Sequence, residues 1–406
     1  MTRQTLARLF QPVNRFKIFF TLQYLGVGIF APYMALFLNS KGLSGAQLGI
    51  ILGIMPLVSI IAQPTWSIIS DLFQSRRTML IMSCLSAAVV ASFYSLTSSF
   101  LGLLLISILY AVLYTPIGVL STALALDHLE KQNRQDEFGY IRLWGSLGFA
   151  VTALLMGAFV IKTMTSILPL LYSAVMFILT LLAFTLPEGD KSKPSAWWQG
   201  IAIVFKKKEI ILYFIGCMFI NTSISIGLQY MPLFMEKLES TGWMIGLAIS
   251  LQAILEIPLM AKVPKWTIKF GLPAVFLTGV ILLPIRWLAF IFIQEPAWII
   301  PTSIFHSLAI MSLMVVGVKH VDSKFPREWR ASGQGLYSTV MNGIGPSIGL
   351  FIAGNLYGIR DIQSVWIFTL GISIAGVILL LAIFTLLKVE KRPVVYTQPS
   401  KLNDNR

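Results

Sequence analysis

Apolar stretches long enough to cross a bilayer recur twelve times along this chain of 406 residues, and no other feature constrains the fold as strongly. A helix needs about 20 consecutive apolar residues to span the hydrocarbon core. Stretches of that size have cores near 16–38, 47–70, 78–97, 99–126, 139–161, 165–186, 209–235, 243–261, 271–293, 297–318, 332–357 and 362–387. The residue balance agrees, with 56% apolar and only 12% charged, against about a quarter charged in soluble domains. The expectation is an all-α membrane protein lying in a lipid bilayer.

A net charge of +14 raises the question of nucleic acid, but the basic residues are distributed by side of the membrane. With an even number of spans both chain ends share one side. Of the 31 Lys and Arg, 25 fall there, among them Arg15, Lys17, Arg76, Arg77, Lys206 to Lys208, Lys262, Lys265 and Lys269. Lys41, Lys162, Lys237 and Arg360 fall opposite, and Arg142 and Arg286 lie inside spans. The positive-inside rule then puts both termini in the cytoplasm of a plasma or inner membrane protein, with no nucleic-acid partner. Cys84 and Cys217 lie within spans, where a thiol is a small apolar group, so no disulfide or metal site is expected. The first apolar segment is too long for a signal-peptide core and reads as a retained helix. No Gly-x4-Gly-Lys-Ser/Thr run and no nucleophile–base constellation occurs, which argues against ATP drive, enzymatic activity and a cofactor.

The pattern breaks once at length, at Pro187-Glu188-Gly189-Asp190, and resumes after Lys206 to Lys208. This divides the chain into a six-helix bundle over 1–187, a linker over 188–208 with an interfacial helix near Trp197 to Phe205, a second bundle over 209–390 and a tail over 391–406. Tyr33-Met34-Ala35-Leu36-Phe37 is echoed by Tyr230-Met231-Pro232-Leu233-Phe234, 197 residues on, and Gly49 meets Gly246 at the same offset. Duplicated bundles facing each other form a central cleft that opens to either side in turn, the geometry of alternating access.

Charges in the apolar interior mark the cleft's chemistry. A charge at bilayer depth costs on the order of 2.5–3.5 kcal/mol on insertion scales, so such residues pair, face water or mark a solute path. Arg142 stands one turn into the fifth span, fifteen residues after Asp127 at the end of the fourth, and the short hairpin between them suggests an ion pair. Both also lie near enough to helix ends to reach the membrane boundary. Arg286 lies deep in the ninth span, and Glu256, midway along the eighth, is its candidate partner. Burial favours the protonated form of a carboxylate and a neighbouring guanidinium the ionised form, so movement between paired and unpaired states loads and unloads a proton. The alternative is a static Glu256–Arg286 strut. Tyr33, Gln63, Trp144, Asn221, Gln229, Tyr230 and Asn342 supply polar and aromatic groups to the same cleft, although such groups also serve helix packing. Gly343-x-Gly345-Pro346 reads as a close helix contact.

Several segments together resemble the major facilitator superfamily, in particular its branch of lactose, phenylpropionate and nucleoside permeases. They are Gln63-Pro64-Thr65-Trp66 with Ser70-Asp71 and Arg76-Arg77, the run Phe138 to Phe149 around Arg142, Arg286-Trp287, and Gly333-Gln334-Gly335-Leu336-Tyr337. The resemblance covers nearly the whole chain and implies two pseudo-symmetric six-helix bundles. It also implies a gating loop at Asp71, Arg76 and Arg77, although Ser67, Leu72 and Gln74 depart from the family's pattern there. It carries substrate contact onto Arg142 and Asp127, and a histidine role in substrate or proton handling onto His306. The acid one turn beyond that histidine is replaced here by Ala309. The combined expectation is a monomeric secondary transporter that moves a small organic solute, an aromatic carboxylate, sugar or nucleoside, in symport with protons. Glu256, Asp127 and His306 handle the proton, and Arg142 and Arg286 bind the solute. Export by proton antiport is the alternative.

Overall fold

The computed structural model describes residues 12–73, 75–134, 137–162, 164–188, 208–326 and 329–386. Among them twelve helices are long and apolar enough to cross a membrane, one for each expected span. They are α1 (Pro12–Ser40), α2 (Gly45–Trp66), α3 (Arg76–Phe93), α4 (Phe100–Glu130), α5 (Phe138–Phe159), α6 (Thr165–Ala183), α7 (Lys208–Lys237), α8 (Gly242–Phe270), α9 (Leu272–Phe292), α10 (Pro296–Lys324), α11 (Gly333–Ile359) and α12 (Ile362–Thr385). The described residues contain no strand. The chain is a multi-pass membrane protein. The interfacial helix expected near Trp197 and the tail over 391–406 lie outside the described residues.

Local chemistry sets the helix ends and breaks. Ser75 caps α3 by accepting from the Thr78 N–H, and Ser99 caps α4 by accepting from Gly102 at 3.2 Å, satisfying donors that a helix start leaves bare. Proline lacks an N–H and its ring crowds the carbonyl four residues back. Pro32 accordingly sits in a 3-10 turn, Ala31–Tyr33, and Pro284 follows a break in α9 at Leu282. α8 stops at Gly271, whose φ of +83° a side chain would strain. Leu105, Leu109, Phe177, Ile178, Leu181 and Ile378 face outward as lipid-compatible surface.

α1–α6 form one bundle and α7–α12 the other, joined mainly where α2 meets α11 and α5 meets α8. The side on which α1 begins and α12 ends carries most of the basic residues; call it the basic side, with odd-numbered helices leaving it and even-numbered ones returning. The joints sit at the opposite, far side. There Gly45 and Gly49 of α2 oppose Gly354 and Gly358 of α11, and Gly157 of α5 opposes Gly242 and Gly246 of α8. Backbones touch because no Cβ intervenes: one on Gly49 would lie 2.8 Å from the Gly354 Cα, and one on Gly246 2.7 Å from the Leu154 carbonyl oxygen.

The duplication seen in sequence holds in space. Gly45 and Gly242, Gly49 and Gly246, and Gly157 and Gly354 are each 197 residues apart, so the two joints are copies of one contact. The Ser347 hydroxyl donates to the Gly53 carbonyl, and the Ser250 hydroxyl donates to the Ala150 carbonyl at 2.5 Å, again related by 197 in both members. The bundles therefore close on the far side. They splay on the basic side, where Ile61, Gln63 and Thr65 of α2 and Lys262 and Lys265 of α8 are exposed.

Candidate functional site

A cavity of about 290 Å³ lies at mid-depth between the bundles, at the small end of the range for ligand pockets. Its first wall is aromatic. Tyr110 and Tyr114 stack at 5.3 Å, Phe30 meets Tyr110 edge-on at 6.3 Å, and the Tyr110 hydroxyl donates to the Tyr172 hydroxyl at 2.7 Å. Tyr110 and Tyr114 share one face of α4 because four residues make about one helical turn. The second wall is polar, with Ser225 and Gln229 from α7 and Asn342 from α11, while Ser59 of α2 stands between the walls. The Gln229 amide nitrogen donates to the Ala31 carbonyl at 3.3 Å, but its Oε1 is buried with no hydrogen-bond partner among the described residues. Leaving a buried acceptor unsatisfied costs about 1–3 kcal/mol. None of the lining residues is charged.

The charged groups form a separate chain beside the cavity. The Arg142 guanidinium lies 3.9 Å over the Tyr24 ring and donates to its hydroxyl. It stands within electrostatic range of Tyr114 in the cavity wall and of Glu256. Glu256 Oε1 is 3.9 Å from His306 Nε2, and about a fifth of the Glu256 side chain is exposed. His306 lies in turn within range of Arg286. Arg286 is 1% exposed. It rests among the Trp287 ring at 5.2 Å, the Phe290 ring at 5.3 Å and Met231, to whose sulfur Nη2 donates at 3.3 Å. Its Nε and Nη1 have no hydrogen-bond partner among the described residues.

Several expectations need correction. Asp127 pairs with Arg76 of α3 and not with Arg142, because α5 turns Arg142 toward α1 and α8 while Asp127 stays at the basic end of α4. Arg286 does not meet Glu256; His306 is the neighbour of both. Tyr33 and Tyr230 are fully buried and do not line this cavity. The first donates to the Ala153 carbonyl at 2.5 Å, and the second packs on Tyr357 at 6.0 Å. Trp144 is exposed on the α5 face it shares with Tyr140, Leu147 and Val151, about two residues' rotation from Arg142 and so nearly opposite it. Gln63 is exposed outside the cavity, and Asn221 Nδ2 is held by the Met341 carbonyl at 2.6 Å. Gln229 and Asn342 do line the cavity. Arg77 pairs with Glu188 at 2.9 Å. The Asp71 side chain lies outside the described part of the structure.

Sequence reasoning passed over Tyr24, Phe30, Tyr110, Tyr114 and Tyr172. The four-residue spacing of Tyr110 and Tyr114 inside an apolar span was the available signal. Tyr24 carried none, because only the packing of α1 on α5 brings it under Arg142.

Two pseudo-symmetric bundles around an aromatic and polar cavity, with a charge chain at its edge, define a transporter-type membrane protein. The chain belongs to the MFS_1 like family, whose model matches residues 13–368. It is similar to the maltose permease of Geobacillus stearothermophilus, 26% identical over 369 residues that cover 90% of this chain and 93% of that one. It is also similar to the nucleoside permease NupG of Escherichia coli (strain K12), 20% identical over 375 residues, 84% of this chain and 88% of the relative. A crystal structure of nucleoside transporter NupG superposes with a TM-score of 0.82 at 18% identity, covering 92% of this chain and 99% of that chain. The shared architecture is the major facilitator fold.

Proposed function

We propose that this protein is a proton-coupled symporter that moves a small, neutral, hydroxyl-rich solute by alternating access. It works as a monomer in the plasma or inner membrane with both termini in the cytoplasm. The observation that carries the coupling is Glu256, a carboxylate at mid-membrane with its side chain a fifth exposed, 3.9 Å from His306 and within range of the Arg142 guanidinium. Arg142 lies within electrostatic range of both this acid and Tyr114 of the cavity wall, so solute seated on the tyrosines and the proton on Glu256 act on one cation. Arg286 supports the same reading, since two of its nitrogens have no hydrogen-bond partner among the described residues and a carboxylate moving within the bundle gives them one.

The cavity's lack of charged lining favours a sugar or nucleoside over an aromatic carboxylate, whose anion would find no cation in contact with it. Rings stack on the tyrosine wall, and hydroxyls meet Gln229 and Asn342. Similarity to maltose and nucleoside permeases points the same way.

The test is reconstitution into proteoliposomes with radiolabelled maltose and uridine as probes. Counterflow of one of them is expected, with accumulation driven by an inward proton gradient. Glu256→Gln keeps counterflow and loses accumulation. Accumulation undiminished in that variant refutes the coupling role, and accumulation driven by an outward proton gradient identifies antiport instead.

A further inference from the structure

α11 is not a continuous α-helix. Val340–Ile344 forms a π turn, in which the Gly345 N–H bonds to the Val340 carbonyl five residues back. Pro346 stands one residue further on. Pro346 in a regular helix would press its ring on the Asn342 carbonyl and would withhold a donor from the ladder, and the wider π turn relieves the clash. Relief leaves a vacancy: Gly345 is engaged with Val340, Pro346 has no N–H, and so the Met341 carbonyl has neither an α-type nor a π-type partner within its own helix. In a membrane interior a bare carbonyl is not tolerated without replacement. Asn221 of α7 fills the gap, donating from Nδ2 at 2.6 Å, and its side chain is buried.

The extra residue of a π turn rotates the rest of the helix by about one residue step, roughly 100°. Beyond the turn Gly345 and Gly349 stay against Thr222 of α7. Within the turn Met341 and Gly343 are buried, while Asn342 is exposed and lines the cavity beside Pro346. We infer that Asn221 is a positioning residue for the solute site: by satisfying the carbonyl that Pro346 orphans, it holds the π turn that presents Asn342 to the cavity. This rests on the reading of that cavity as the solute site. It also separates Asn221, which does not line this cavity, from Asn342, which does.

A double-mutant cycle on counterflow of radiolabelled maltose and uridine tests the inference, using whichever probe exchanges. Asn342→Ala removes one hydrogen bond to solute and is expected to raise KM about threefold to tenfold with little change in maximal rate. Asn221→Leu is expected to raise KM by a similar factor alone and to add nothing in the Asn342→Ala background. A direct solute contact at Asn221 predicts additive factors, and additivity overturns the inference while leaving the cavity assignment standing. An Asn342→Ala variant with unchanged KM overturns both. Because Asn221→Leu threatens folding, Pro346→Ala provides a second arm. It restores an N–H to α11, so Asn221→Leu in that background is expected to cost no further expression or KM. A loss equal to that in the parent background overturns the inference.

Discussion

The strongest consequence of the proposed alternating access is that the far-side joints act as its closed gate, and their glycines measure how firmly it closes. A valine at position 246 would place its Cβ 2.7 Å from the Leu154 carbonyl oxygen, 2.9 Å from that of Ala153 and 3.0 Å from the Leu154 Cα. All three are backbone atoms with no flexible end to swing aside. Comfortable separation is about 3.5–4.0 Å, so α5 and α8 must part by roughly 1 Å at this end or hold the strain. Overpacking of this kind costs about 1–3 kcal/mol, and the cost is absent once the far side opens. The closed population is therefore expected to fall by about 5- to 150-fold relative to the open one. Gly49→Val meets the Gly354 Cα at 2.8 Å and the Leu350 carbonyl at 3.0 Å, and as the 197-residue counterpart it should act with the same sign and similar size. Gly371, with nothing within 4 Å of its Cβ position, is the control. The assay places a cysteine at Leu228 in the cavity and labels it with a membrane-impermeant maleimide from each face of sealed vesicles. Cys84 and Cys217 are both buried and add little background. Faster far-side labelling is expected in both valine variants and not in Gly371→Val. Labelling of Gly49→Val and Gly246→Val that matches the parent would refute the gate.

Two further predictions concern the charges. Tyr24→Phe removes the hydroxyl that Arg142 donates to but keeps the ring 3.9 Å beneath it, so proton-driven uptake should fall by about threefold to tenfold, the worth of one hydrogen bond, and Tyr24→Ala should fall further; equal losses would show that the ring contributes nothing. Arg76 and Asp127 are each under a fifth exposed, and a double-mutant cycle of Arg76→Ala with Asp127→Asn, read by SDS unfolding, should give a coupling of about 1 kcal/mol, while Arg142→Ala with Asp127→Asn gives none; the reverse pattern would restore the hairpin pairing expected from sequence.

The helices were legible because the bilayer imposes one rule on every span: length and apolarity suffice, and no side-chain partner need be known. The repeat was legible at Tyr33 and Tyr230, yet those tyrosines proved to be packing groups, since an echo records shared architecture and says nothing of which atoms reach the cleft. The ion pairs differ from expectation because a short helical hairpin makes Arg142 a candidate partner for Asp127, whereas helix packing decides which side of α5 faces which neighbour. The aromatic wall was hidden in plain composition: in a chain rich in apolar residues, Tyr110 and Tyr172 look like core until their hydroxyls are seen bonded to each other beside a void.

The repeat also separates gate from chemistry. Where the 197-residue correspondence is anchored, along α2 with α8 and above the π turn along α5 with α11, it relates glycine to glycine and swaps the serine and carbonyl of one joint for those of the other. A gate needs that likeness, because two joints related by a pseudo-twofold axis open under one rocking motion, whereas unlike joints would resist in turn. The proposed proton site shows no such likeness. Glu256 corresponds to Ser59, and Arg142 to the uncharged step Ser338–Thr339, whose exact match is blurred by the π turn that α11 has at Val340–Ile344 and α5 lacks. An acid of one bundle within electrostatic range of a cation of the other changes its surroundings when the bundles rock, while a symmetric pair of acids would exchange one equivalent setting for another. Under the proposed mechanism, the duplicated residues therefore serve the motion, and the residues at which the halves have diverged serve the coupling.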